Sequence, residues 1–332
     1  MAVSPHNFTI HFRSPLLQTT SNVLIVSLSL SDFIMVLKTP MAAFNNFVQY
    51  PAMGHTGCLV YGATSIISGL SSIWVLSAIT YERYKVIASG FSGQNKFSMN
   101  TILTILALIW GFSTLLAIFP FLGWNAYVYE GFFTTCTMNS IAQDVWDRSY
   151  TYFLLVVAYL IPMCIITYSN MSIVYNNKTN NKEIFELMNM RKRSFQTSNT
   201  SESVSTIANN SNVEQGSTPL VPGMSSNVHV NKFKQDRHMI EIRLAKVAFF
   251  LILLWLVAWT PYALVFFWSL TPYSQYLHPI YDVFPGVFCK MSAAINPYIY
   301  GLCLPKFRRE IYRIFFRAFF CRSRSPNRGC VN

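Results

Sequence analysis

Charge is what this chain has least of. Only 11% of its 332 residues are charged, and Asp and Glu together number 13. A water-soluble domain carries roughly 25% charged residues, so the composition argues against a soluble enzyme. The first 20 residues hold one arginine and no apolar core of the kind a cleaved secretory signal needs. Lys and Arg number 25, for a net charge of +12. That excess would suit a nucleic-acid binder only if it covered a polar surface, and its placement excludes nucleic acid as a partner. The seven cysteines are an odd count, so at least one is unpaired within the chain.

What is abundant is apolar: 52% of residues are hydrophobic and 16% aromatic. They gather into six long runs, at about Asn22–Leu37, Cys58–Tyr81, Ile102–Trp124, Tyr150–Val174, Val247–Leu270 and Ile280–Leu304. Most reach the roughly 20 residues that cross a hydrocarbon core as helix. Pro120, Pro162, Pro261 and Pro297 inside these runs are compatible with spanning helices. Every Lys and Arg except Lys38, Arg148 and Lys290 falls before the first run or after the second, fourth or sixth. Those gaps share one face, which the positive-inside rule makes cytoplasmic. Lys38 and Arg148 read as span-edge residues. The expected fold is therefore an all-α membrane bundle, residues 21–304. Within it, residues 176–242 form a long loop that Ser, Asn and Thr across 194–231 leave partly disordered.

Lys290 is the residue most out of place. It lies about ten residues from either end of the last run, some 15 Å from each interface, too far to snorkel. A charged lysine there costs at least ~2.5–3.5 kcal/mol on insertion scales. It is either paired with a carboxylate for packing or an amine in a dry pocket, suited to Schiff-base chemistry with an aldehyde.

Asn296-Pro297-Tyr298-Ile299-Tyr300 follows it; Glu82-Arg83-Tyr84 closes the second run; Asp32 lies in the first, and Trp259-Thr260-Pro261-Tyr262 breaks the fifth. In this order and spacing they resemble the rhodopsin-like G-protein-coupled receptors. Glu241-Ile242-Arg243-Leu244-Ala245-Lys246, Glu82-Arg83-Tyr84-Lys85-Val86-Ile87 and Pro305-Lys306-Phe307-Arg308 narrow the resemblance to invertebrate rhabdomeric opsins.

The resemblance implies a multi-pass receptor of a photoreceptor cell membrane, not an enzyme. It would bind 11-cis retinal covalently on Lys290 and drive a heterotrimeric G protein, of the Gq class, with arrestin and a receptor kinase as further partners. Glu130 matches the counterion position of that group, or is an ordinary solvated loop acid. Tyr61, Gly69, Trp259 and Tyr262 would line the pocket, Gly69 by leaving room for the polyene. Cys58 and Cys136 would form a disulfide. Arg83, beside Glu82 and Tyr84, would latch to Glu241, and Asn296, Pro297 and Tyr300 would belong to the switch. A retinal photoisomerase on the same scaffold, or a diffusible-ligand receptor with Lys290 as a mere charge partner, stays open.

After the last run, residues 305–320 read as an amphipathic helix on membrane lipids, with Cys321 a palmitoylation candidate or a plain exposed thiol and 321–332 a cytoplasmic tail. The family has seven helices. The first run here aligns with the family's second, so residues 1–20 are expected to be a remnant of the first loop, and the sequence either an incomplete record lacking the first helix or a six-span variant.

Overall fold

The computed structural model describes residues 19–52, 54–89, 97–130, 132–142, 144–205, 222–271 and 278–303. Helix α1 (Thr20–Leu37) runs into α2 (Thr39–Val48) through a single turn residue, Lys38. Pro40 near the start of α2 has no N–H to give the preceding turn, so the span bends there. Gln49, at φ 53°, ends α2 in the left-handed region.

The longest uninterrupted crossing is α3 (Gly54–Ala88), which packs against α1 and, across the bundle, against the helices that follow. It is rich in serine, yet its hydroxyls are satisfied within the helix. Ser65 donates to the Tyr61 carbonyl (2.7 Å), Ser68 to Thr64 (2.6 Å), Ser71 to Ile67 (2.7 Å), Ser77 to Ile73 (2.9 Å) and Thr80 to Leu76 (2.8 Å). Small side chains that bond their own backbone let neighbouring helices approach closely without an orphaned polar group.

Helix α4 (Met99–Ile118) is capped by Ser98, which accepts from the Thr101 N–H at 3.2 Å. A 3-10 turn over Phe119–Leu122 carries Pro120, and Gly123 at φ 90° turns the chain back. The hairpin β1 (Tyr127–Glu130) and β2 (Thr135–Met138) follows, antiparallel, with Tyr129 opposite Cys136 and Glu130 opposite Thr135. Gly62 of α3 lies beneath the Tyr127 ring, where any Cβ would collide with it. Burial pushes the Tyr127 hydroxyl above its ordinary pKa, and it donates to the Ala117 carbonyl at 2.8 Å.

Helix α5 (Val145–Leu155) starts at an Asp144 cap and widens into a π turn over Val156–Leu160 before α6 (Ile161–Ser205). Pro162 has no N–H for the Ala158 carbonyl, which loosens the ladder at that point. Helix α7 (Pro222–Ser269) contains Pro261, and α8 (Pro279–Cys303) completes the bundle.

Five segments among the described residues are long and apolar enough to cross a membrane: Thr20–Val48, Gly54–Ala88, Met99–Leu122, Val145–Thr179 and Ile242–Ser269. Helix α8, 25 residues long, corresponds to the sixth run of the sequence. Apolar side chains such as Phe33, Leu108, Phe249, Val257 and Phe267 point outward, as a lipid-facing surface requires. Inside, Leu24, Leu28, Val75, Leu76, Ile102, Ile166, Leu251 and Trp255 pack into one core from five helices.

One expectation needs correcting. The backbone is helical through residues 176–205 and 222–242, stretches whose composition reads as loop. No Pro or Gly interrupts 176–205, and a helix already nucleated in the span adds one bond per residue fixed. The intervening residues 206–221, the 305–320 segment, Cys321 and the 321–332 tail lie outside the described residues, as does nearly all of 1–20.

Candidate functional site

The hairpin lies over one end of the bundle, tied down by the Cys58–Cys136 disulfide, whose Cα atoms are 5.2 Å apart. Beneath it is a cavity of about 950 Å³, its mouth included, walled by α1, α3, the hairpin, the π turn, α7 and α8. Most of its wall is apolar or aromatic, and at one side stand three ionisable groups: Lys290, Lys38 and Glu130.

Lys290 Nζ lies 5.4 Å from the centre of the Tyr61 ring, and Lys38 Nζ lies 5.0 Å from the same ring. Glu130, the last residue of β1, accepts a hydrogen bond from Thr135 Oγ1 at 3.1 Å across the hairpin. The disulfide at the neighbouring cross-strand position fixes that strand, and with it the carboxylate, against the cavity. Tyr61 itself is 3% exposed, and its hydroxyl has no hydrogen-bond partner among the described residues.

The opposite wall is an aromatic column on α7. Trp259 stacks on Trp255 at 5.5 Å and 12°, and meets Tyr262 edge-on at 6.2 Å and 86°. Tyr262 continues to Phe266 at 4.5 Å and shares a 2.8 Å hydrogen bond with Thr137 of the hairpin. On the flank of Pro261, Thr260 and Tyr159 share a 2.9 Å hydroxyl bond, so α7 is tied to the π turn where its ladder is weakest.

The cavity therefore gathers Lys290, Glu130, Tyr61, Gly69, Trp259 and Tyr262. Gly69 also has a packing partner beside the cavity. A Cβ on Gly69 would come within 2.7 Å of the Trp259 ring, so the space this glycine frees is occupied by tryptophan. Sequence reasoning missed Lys38, Trp255 and Thr137. Lys38 looks like a span-edge cation, yet it is 8% exposed and donates a hydrogen bond to Ser65. The available signal was its position: a lysine on the face of the bundle where Arg148 is the one other Lys or Arg in the sequence.

At the far end of α3, Glu82 and Arg83 pair at 2.8 Å with both side chains almost fully buried. Thr20 donates to Glu82 at 2.6 Å and Ser21 at 3.3 Å, while Arg83 also donates to Ser21. Tyr84 packs edge-on against Tyr168 at 5.7 Å. Between the two ends, the Asn296 amide donates to the Asp32 carboxylate at 3.0 Å, joining α8 to α1. Glu241, Pro297 and Tyr300 lie on α7 and α8, but their side chains fall outside the described residues.

A bundle of apolar helices, a hairpin stapled over a cavity and an Arg-bearing far end have counterparts among known proteins. Residues 8–300 match the family model described as 7 transmembrane receptor (rhodopsin family). The chain belongs to that family. Within it, the chain is 31% identical to ceropsin of Bombyx mori over 300 residues, 90% of this chain and 69% of that one. It is also 31% identical to rhodopsin of Orconectes australis over 287 residues, 86% of this chain and 83% of the relative. The squid rhodopsin crystal structure superposes with a TM-score of 0.75 at 26% identity, covering 96% of this chain and 83% of squid rhodopsin. The chain is thus a multi-pass membrane protein of the rhodopsin-like kind, with invertebrate opsins as its relatives.

Proposed function

We propose that this chain is a light-activated receptor that holds 11-cis retinal as a Schiff base on Lys290. The observation that carries the reading is a half-buried primary amine at one side of an aromatic-walled cavity. The fit is chemical as well as spatial. The walls are apolar enough for a polyene, the amine can condense with an aldehyde, and Glu130 supplies an anion on the same wall. Retinal supplies the aldehyde and a chain whose shape light changes.

The protein's own residues would do the rest. The disulfide-pinned hairpin keeps water from the amine and holds Glu130 near it. A shape change in the cavity acts only if it favours one helix packing over another. The Trp259–Trp255 stack is the wall positioned to sense it, and the missing backbone bond at Pro261 lets α7 pivot. Motion there would separate Arg83 from Glu241 and open a cleft for a heterotrimeric G protein of the Gq class, with arrestin and a receptor kinase ending the signal.

A spectrum decides between this and its rivals. Expressed protein mixed with 11-cis retinal should gain an absorption band that light alters and that Lys290→Ala abolishes. A band that persists in Lys290→Ala refutes the attachment site, and no band in the wild type points to a diffusible-ligand receptor. Light-dependent nucleotide exchange on a Gq-class protein then separates a receptor from a photoisomerase.

A further inference from the structure

The ionisable groups of the cavity do not balance. Lys38 and Lys290 both reach into it, and among the described residues of its wall Glu130 is the lone carboxylate. The two amines face one aromatic ring, so their separation is no greater than the sum of their distances to its centre, 5.0 and 5.4 Å. Each interacts electrostatically with Glu130, and Lys38 also with Lys290. The ring face suits ammonium groups, since its quadrupole attracts cations. Protonation of Lys290 as a Schiff base would leave the same imbalance, two positive charges against one negative.

The hydroxyls add a second sign. The Ser65 hydrogen goes to the Tyr61 carbonyl at 2.7 Å, so its oxygen accepts from Lys38. The Tyr61 hydroxyl, by contrast, is buried and has no hydrogen-bond partner among the described residues. A buried donor without an acceptor is costly, and burial disfavours the charged form of either amine unless an anion accompanies it. One occupant relieves both: a small acceptor carrying a single negative charge.

We propose that the side of the cavity formed by Lys38, Lys290 and Tyr61 binds a small monovalent anion of the halide type. It is a second counter-charge beside Glu130. Its donors are the two amines and the Tyr61 hydroxyl. The site belongs to the protein without retinal, so it stands or falls separately from the light-sensing reading.

The test uses the full chain in neutral lipid nanodiscs without retinal, with sodium gluconate exchanged for sodium chloride or bromide at constant ionic strength. The melting midpoint of the wild type should rise with halide along a saturating curve. Lys38→Met should abolish the rise. Tyr61→Phe removes no charge and should weaken the apparent halide affinity by about tenfold, the worth of one hydrogen bond to a charged group. An identical wild-type midpoint in gluconate and halide overturns the proposal, as does a halide response that survives Lys38→Met. Should Lys38→Met fail to fold, Tyr61→Phe decides alone: an undiminished affinity overturns the site. With retinal added, the absorption maximum should depend on which halide is present, a readout that fails independently if the chromophore does not bind.

Discussion

Two ionic clusters sit at opposite ends of α3, one buried and one partly open, and they are built on opposite terms. At one end Glu82 and Arg83 neutralise each other at 2.8 Å and bond further to Thr20 and Ser21. At the other, two lysines share one carboxylate beside an empty volume of about 950 Å³. The first cluster balances its own charge. The second sets two amines against one carboxylate and, among the described residues, leaves the Tyr61 hydroxyl without an acceptor, which is how a site looks when it is shaped for a ligand. A membrane protein tolerates so few interior charges that the balance at each cluster is informative about its work.

The comparison predicts that deleting a buried cation has different consequences at the two ends. Arg83→Ala strands the Glu82 carboxylate in a site that is only 2% exposed, and should cost about 3–5 kcal/mol. Its melting midpoint in nanodiscs should fall sharply. Lys38→Met removes a charge from a cluster with one too many, so without retinal and in gluconate its midpoint should hold or rise. Equal losses in the two variants would break the contrast.

The hairpin supplies the next largest effect. Opening the disulfide by a Cys136→Ser substitution should cost about 2–4 kcal/mol. It should also release Glu130, because the strand carrying the carboxylate is the one paired with Cys136. The readout that separates these is the pH at which a retinal-loaded sample loses its visible band. A nearby anion favours the protonated Schiff base and a nearby cation disfavours it. Glu130→Gln and Cys136→Ser should therefore lose the band at a lower pH than the wild type. Lys38→Met should keep it to a higher pH, by roughly one to two pH units. If Glu130→Gln leaves the titration unmoved, Glu130 is not the counterion.

Much of this was legible in the amino-acid order, for identifiable reasons. The spans follow from run length, since hydrocarbon thickness sets the number of residues a helix needs. Lys290 stood out because a charged lysine at mid-span is costly and too far from either interface to snorkel. The Cys58–Cys136 pairing came with the family resemblance, and the structure contains it. Lys38 was hidden by its distance along the chain from the membrane centre. Only the bend at Lys38 and Pro40 shows that this span-edge residue reaches the cavity instead of water. Gly69 was recognised as a cavity position, but its contact with Trp259 was not, because that partner lies 190 residues away. Long-range packing of this kind leaves no local periodicity to read.

The smallest predicted effect probes how the Glu82–Arg83 cluster is held. Thr20 starts α1, and its hydroxyl reaches Glu82 at 2.6 Å, so the bond ties the first helix to α3 beside Arg83. Thr20→Val keeps the side-chain shape and removes the donor. Glu82 retains Arg83 and Ser21, so no charge is stranded and the stability cost should be about 1.5 kcal/mol or less. Glu82 should nevertheless hold Arg83 less firmly, because one of the groups fixing its carboxylate is gone. If separation of Arg83 from this corner is what admits a G protein, Thr20→Val should raise nucleotide exchange in the dark while hardly moving the melting midpoint. A variant that loses stability without gaining dark activity would make the Thr20–Glu82 bond a structural tie and nothing more.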